Sequence, residues 1–307
     1  MPRTKDVVST LRRRGSKLAL LPSAVLFYAL ISGCAQPQPR VAAQTAPPPV
    51  INTVRPGEEI VILPTRTGVT VRLFVVSPAS LGAAKGVFLL LPGGEGKAGG
   101  FDGRPHGQIG RVLVRNGFTA AVVDAPSDRP GGLGGWGDHS SDRFRISREH
   151  TQDARAILDF LGNRWPAPVY VLGHSMGAIS AAHLAASLAE PRLAGVVMTG
   201  SPTLRGPQGA WISVPSVPLH IIKVPVLLIH HRDDGCRGST FTGASQYPKL
   251  FAASPRVGFV EVVGGEAPPG EDPCLSGYHY FPGKTREVAE AILAWIARRQ
   301  VPERIGP

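Results

Sequence analysis

The sequence predicts an α/β fold, a mainly parallel eight-stranded sheet with helices on both faces, and three observations carry that expectation. From residue 58 onward, β-rich apolar runs alternate with segments of helical periodicity, the order that a parallel sheet with crossover helices needs. Val87–Leu91, Phe118–Val123 and Val224–Ile229 are apolar without alternation, as strands buried on both faces are. Val169-Tyr170-Val171-Leu172 runs into Gly173-His174-Ser175-Met176-Gly177, and a small-residue helix, Ala178–Ala189, follows at once. A strand, a tight turn and a helix therefore share one serine.

The elements follow in order. Glu59–Leu63 and Val69–Val76 are β-rich and separated by Pro64–Gly68, which reads as an antiparallel hairpin. Val87–Leu91 is the third strand. Ile109–Asn116 is a short helix stopped by Gly117, and Phe118–Val123 is the next strand. Pro126–Ser147 is a long stretch with five glycines around Trp136; a loop of that length leaving a strand's carboxyl end should border the site. Trp136 is read there as a substrate contact or as the loop's packing anchor. Ala154, Ile157, Leu158 and Leu161 fall at i, i+3, i+4 and i+7, one face of a helix. Leu193–Thr199 is a strand, Ser201–Lys223 is rich in Pro and Gly without periodicity, and Val224–Ile229 and Arg256–Val263 are the last two strands. A helix over Thr285–Arg299 closes the chain with Val288, Ala291, Ile292, Trp295 and Ile296 on one face.

Composition bounds the class. The 307 residues are 43% hydrophobic, enough for one large core, and disordered and fibrous classes are excluded. The net charge is +11, but six of 33 basic and one of 22 acidic residues lie before residue 34; the remaining 27 and 21 are dispersed without basic–aromatic runs. Nucleic acid is therefore not an expected partner.

The amino-terminal region reads as an export signal over residues 1–33: basic residues to Lys17, then an apolar run Leu18–Ile31 broken by Pro22 and too short for a good membrane span. Ile31-Ser32-Gly33-Cys34 resembles a bacterial lipobox, which implies lipidation of Cys34, a membrane anchor and a place in the cell envelope; ordinary signal cleavage is the alternative. Residues 34–57, rich in Pro, Ala and Gln, are expected to be a tether, residues 58–299 the folded domain, and residues 300–307 a tail. With Cys34 lipidated, Cys236 and Cys274 remain as an even pair in an oxidising compartment, expected to form a disulfide rather than two buried thiols. No Cys or His spacing suggests a metal site.

One motif competes. Gly94-Glu95-Gly96-Lys97-Ala98-Gly99 follows a strand and matches G-x-G-x-x-G, with Asp124 ending the next strand where a dinucleotide fold places its acid. Pro92 and the further Gly100 argue for a long loop instead of an immediate helix, and that reading leaves Ser175 unexplained.

A strand entering a helix at a single residue strains that residue, and side chains two positions to either side would strike backbone, so glycine is required at both. Gly173-His174-Ser175-Met176-Gly177 in this setting resembles the nucleophile elbow of the α/β-hydrolase superfamily, over roughly residues 58–299. The resemblance implies Ser175 as nucleophile, then an acid, then a histidine, each at a strand's carboxyl end. Of nine histidines only His279 lies between the last strand and the last helix, so it is the implied base. His230-His231-Arg232-Asp233-Asp234 is similar to the family's His-Gly-x-x-Asp, implying Asp234 as the acid with Asp233 as the alternative; His231 stands where relatives carry glycine. The backbone amides of Met176 and Gly94 are the implied oxyanion donors.

The expected activity is cleavage of short- or medium-chain carboxylic esters of small molecules, without a cofactor. Thioesterase, peptidase and perhydrolase chemistry on the same triad, and a non-catalytic envelope binding protein with this fold, are the alternatives.

Overall fold

The computed structural model describes residues 47–78, 84–99, 101, 104–133, 143–188, 190–204, 212–267 and 272–307. Ten strands form one sheet: β1 Val50–Arg55, β2 Glu58–Arg66, β3 Val69–Val76, β4 Val87–Leu91, β5 Thr119–Val123, β6 Val169–His174, β7 Leu193–Thr199, β8 Val226–His231, β9 Val257–Val262 and β10 Arg304–Ile305. Their order is β1-β2-β3-β5-β4-β6-β7-β8-β9-β10. The β1–β2, β2–β3 and β3–β5 pairings are antiparallel, and every pairing from β5 to β10 is parallel.

All eight expected strands are present, and the count is corrected by one strand at each edge. β1 lies in the segment expected to be a tether; its Val50 and Thr53 register with Ile62 and Glu59 of β2. Every one of its residues is exposed, so it adds backbone pairing without adding core, and an apolar-core criterion passes over it. At the other edge, the expected tail closes the sheet. Val263 N–H donates to Ile305 O at 2.8 Å and the Ile305 side chain is buried. A two-residue strand carries no periodicity to read. The folded unit accordingly extends beyond 58–299 at both ends, and the described residues between 47 and 307 belong to one compact unit.

The helices are α1 Pro105–Arg115, α2 Arg148–Arg164, α3 Met176–Ser187, α4 Phe241–Ala244 and α5 Thr285–Ile296. α1 starts four residues before the expected Ile109 because Pro105 supplies a favourable first turn. Ser147 caps α2 by accepting from His150 N–H at 3.1 Å.

Side-chain alternation along buried strands sorts the core into two layers. Val87, Leu89 and Leu91 of β4 pack with α2 and α3 on one face. Phe88 and Leu90 pack with α1 and α5 on the other, where Trp295 is also buried. Helices thus cover both faces. The chain runs from β4 outward to β5, then returns to the far side of β4 as β6, so the direction of winding reverses between β4 and β6. Crevices at the carboxyl ends of strands form at such reversals. Pro92 follows β4 and Ser175 follows β6, with Leu91 registered against Gly173.

Among the described residues, no helix is long and apolar enough to cross a membrane. The signal segment, Cys34 and Trp136 lie outside the described residues. In the region from 201 to 223, the described residues form two 3-10 turns, Val214–Ser216 and Leu219–Ile221, rather than a helical cap.

Candidate active site

Ser175 sits between β6 and α3 with φ 53° and ψ −128°, a conformation that side-chain-bearing residues rarely adopt. The flanking glycines are forced by close approach. A Cβ on Gly173 would lie 2.2 Å from Gly177 O, and one on Gly177 would lie 2.1 Å from Leu91 O. The steric reasoning about the turn therefore holds at both positions. Met176 opens α3, and first-turn N–H groups have no acceptor within their own helix.

The loop after β4 lies directly against the serine. A Cβ on Gly93 would come within 2.7 Å of Ser175 Cβ and 3.3 Å of its Oγ. Gly94 has φ +51°, and a side chain there would meet nothing within 4 Å. Both glycines and Ser175 line a cleft of about 500 Å³, with Arg104, Leu275 and Tyr280 at its walls. Leu275 is 62% exposed at this mouth.

Asp124, the acid of the competing dinucleotide reading, has a different task. One carboxylate oxygen accepts the N–H groups of Ala98 and Ala125, both at 3.1 Å, and the other accepts from Arg72. It is a brace for the glycine-rich loop, spent on backbone and on a cation.

Asp234 and His279 meet from the loops after β8 and β9. His279 Nδ1 is 2.7 Å from Asp234 Oδ2, and both side chains are buried. Cys236 N–H donates to Asp234 Oδ1 at 2.9 Å. The His230 Nε2–H reaches Ser239 O at 2.9 Å and stands 3.3 Å from Asp234 Oδ2. Burial opposes the charge on Asp234, but the hydrogen bonds of His230 and His279 outweigh it and hold the carboxyl well below the usual carboxylate range. Asp233 is exposed, and its N–H donates to His231 Nδ1 at 3.0 Å. Of the two candidate acids, only Asp234 contacts His279 among the described residues.

The other ring nitrogen, His279 Nε2, is buried without a hydrogen-bond partner among the described residues. The structure therefore joins Asp234 to His279 and shows no bond from His279 to Ser175 among the described residues; hydrogen bonds in active sites are often long without substrate. His174, beside the serine, places its ring 4.9 Å from that of His279 and bonds Thr199 Oγ1 at 3.0 Å through Nδ1. Burial, reinforced by His279, pushes its pKa far below the ordinary value, so it stays neutral. His106, also on the cleft, is lowered to about 4 by burial.

A disulfide joins Cys236 to Cys274, 38 residues apart, as expected from the paired cysteines. Cys236 thus does two jobs, holding Asp234 through its N–H and the His279 loop through its sulfur.

Three contributions escaped the sequence reading. Gly93 packs on Ser175, and the pair Gly93-Gly94 directly after a strand is the sequence signal that could have found it. His230 enters the sequence reading only as the first residue of the stretch similar to His-Gly-x-x-Asp, with no sign of its approach to Asp234. Arg145, at 1% exposure, carried no signal at all; it donates to Gly94 O at 2.7 Å and to Ser180 Oγ at 3.1 Å. No cluster of His, Cys, Asp and Glu able to hold a metal ion occurs among the described residues.

Comparison with known proteins gives the fold its name. Residues 82–232 match the family model described as serine aminopeptidase, S33. Est1E from Butyrivibrio proteoclasticus, solved with ferulic acid bound, superposes with a TM-score of 0.55 at 15% identity, covering 76% of this chain and 96% of its own. A cold-adapted esterase from an Arctic intertidal metagenomic library, in a PEG-bound complex, gives 0.53 at 18% identity over 70% and 88%. An alpha-beta serine hydrolase homologue from Coxiella burnetii gives 0.52 at 16% identity over 80% and 98%. No curated protein matches the sequence. The architecture is the α/β-hydrolase fold.

Proposed function

We propose that the chain is a serine hydrolase that cleaves short- or medium-chain carboxylic esters through an acyl-enzyme on Ser175. The observation that carries the reading is a serine strained at positive φ at the strand–helix junction, beside a buried Asp234–His279 pair. Ser175 Oγ attacks the acyl carbon as its proton passes to His279 Nε2, and the carbonyl electron pair moves onto oxygen. Asp234 holds the Nδ1–H tautomer and stabilises the imidazolium. The N–H groups of Met176 and Gly94 receive the oxyanion. Collapse expels the alkoxide, which takes the proton from Nε2–H. Water then repeats the sequence to release the acid, and no cofactor enters.

The family description raises aminopeptidase as a second reading. An aminopeptidase has to neutralise its substrate's ammonium. Glu95 in the cleft pairs with Lys97 Nζ at 2.7 Å, and Asp272 accepts from Cys274 N–H at 2.9 Å. The cation already beside Glu95 favours neutral esters, whereas Asp272, exposed and bonded through one oxygen only, keeps its charge at the cleft, so the anilide rates below decide between the two readings. The absence of a helical cap among the described residues between 201 and 223 favours short acyl groups.

The test is labelling with a fluorophosphonate, which should be lost in Ser175→Ala, followed by rates on p-nitrophenyl esters and aminoacyl p-nitroanilides. Higher kcat/KM on the anilides would move the function to peptide bonds, and a maximum on long-chain esters above their micellar threshold would overturn the substrate range. Undiminished labelling of Ser175→Ala would remove the triad.

The Ile31-Ser32-Gly33-Cys34 stretch supports a further proposal, that the domain is held at the bacterial envelope membrane by lipid on Cys34. Intact-mass analysis showing a mature chain with unmodified cysteine would refute it.

A further inference from the structure

The oxyanion loop, Pro92 to Ala98, is glycine-rich, and backbone of that composition has no intrinsic reason to aim one N–H at one point. Its aim has to come from outside. The amide in question belongs to the Gly93–Gly94 peptide. Gly93 O accepts Gly96 N–H at 2.9 Å. In a trans peptide the N–H points opposite to the C=O, so fixing Gly93 O fixes the Gly94 N–H in the reverse direction.

The peptides on either side are held by a single side chain. Arg145 Nη1 donates to Pro92 O at 3.4 Å, and Nη2 donates to Gly94 O at 2.7 Å. Nη1 also donates to Ser180 Oγ at 3.1 Å, on the helix that begins at the nucleophile. One planar guanidinium therefore spans the donor loop and the nucleophile helix. Lysine could not reproduce this, since its ammonium is a point donor without a fixed fork. Burying a guanidinium is unfavourable unless it is well hydrogen-bonded, and charge-assisted bonds to carbonyls are the strong kind.

The guanidinium is itself positioned. Arg145 lies in the 3-10 turn Arg143–Ile146, next to Phe144, whose ring packs on His150 at 5.4 Å and under Arg129 at 4.8 Å. Ser147, two residues on, caps α2. The turn is thereby tied to the long helix rather than to the cleft.

We propose that Arg145 is the positioning residue of the oxyanion hole, setting the distance and direction of the Gly94 N–H relative to Ser175. This rests on the serine-hydrolase reading above. Arg145 is buried and is not among the residues lining the cleft, so its effect passes through the two carbonyls it holds. It should act on the tetrahedral state, where the Gly94 N–H is used, and little on the ground state.

The experiment compares the parent with Arg145→Gln and Arg145→Lys in the full domain. Fluorophosphonate labelling of the parent at Ser175 comes first; if the parent is neither labelled nor active, the hydrolase reading fails and not this inference alone. With the parent active, Arg145→Gln should lower kcat by about 10- to 100-fold with KM nearly unchanged, a part of what losing a whole oxyanion donor costs. Affinity for an aryl boronate, which mimics the tetrahedral adduct, should fall by the same factor as kcat/KM, while inhibition by the product carboxylate should hold. Arg145→Lys should stay close to the Gln variant, because the fork rather than the charge is at issue. Unchanged kcat and boronate affinity in a folded Arg145→Gln protein would overturn the proposal. So would a loss confined to KM. If neither variant folds, as read by thermal unfolding, Arg145 is a residue of the fold and the proposal falls.

Discussion

The two halves of the site are built by different physics. On the proposed acid–base side, Asp234 and His279 meet through a buried charged hydrogen bond, and Cys236–Cys274 cross-links their loops. On the proposed oxyanion side, among the described residues, no disulfide and no carboxylate–cation pair lies at Gly93, Gly94 or Met176. The Pro92–Ala98 loop is located by glycine contact with Ser175, by Asp124 at Ala98 N–H, and by Arg145 at two carbonyls. The first half joins two side chains to each other, with backbone support from Cys236 N–H, and the second holds backbone by side chains. A change in the first should remove a chemical role, whereas a change in the second should displace one.

The largest expected effect is on the acid. Asp234→Asn keeps the shape but presents an amide to His279 Nδ1 and favours the wrong tautomer, so kcat should fall by about 10⁴-fold. Asp233→Asn should leave activity near that of the parent, since Asp233 is exposed and away from His279. Equal losses in the two variants would undo the assignment of the acid.

Gly93→Ala comes next and breaks the oxyanion half. Its Cβ would stand 2.7 Å from Ser175 Cβ, so loop or serine has to shift. A displacement near 1 Å costs about 10²-fold in rate. The expected signature is that loss in kcat with thermal unfolding close to the parent. A parent-like rate would show that the loop and serine are not in working contact.

The smallest effect sharpens the contrast. Reduction, or replacement of both Cys236 and Cys274 by serine, should cost about 3 to 4 kcal/mol of stability by the loop-entropy model, less any structure left in the unfolded chain. Because Cys236 N–H is backbone and keeps its bond to Asp234, activity at low temperature should drop only modestly. Calorimetry alongside esterase rates checks this. Loss of activity without loss of stability would mean that the bridge aligns the acid and base rather than holding the fold.

The sequence by itself determined the eight-stranded α/β core, because strands buried on both faces and helices buried on one leave period-specific patterns in one dimension. It determined the elbow as well, since the geometry of a strand entering a helix at Ser175 demands Gly173 and Gly177 by local sterics. The order of residues that the resemblance implies then pointed to His279, and the two cysteines within the folded domain pointed to the bridge. The resemblance already put Asp234 before Asp233, but that Asp234 is the one bonded to His279 is decided by the fold, because adjacent side chains differ only in which one the turn directs inward. The edge strands at Val50–Arg55 and Arg304–Ile305 needed it too, as each exists through backbone pairing to a neighbour far along the chain. The same holds for Arg145 and His230. A side chain that bonds a backbone carbonyl 51 residues away, or a carboxylate already claimed by another histidine, leaves no spacing behind. Hydrophobic periodicity is written locally because water acts on every residue alike, whereas a hydrogen bond across the fold is specified only once the sheet has brought its two ends together.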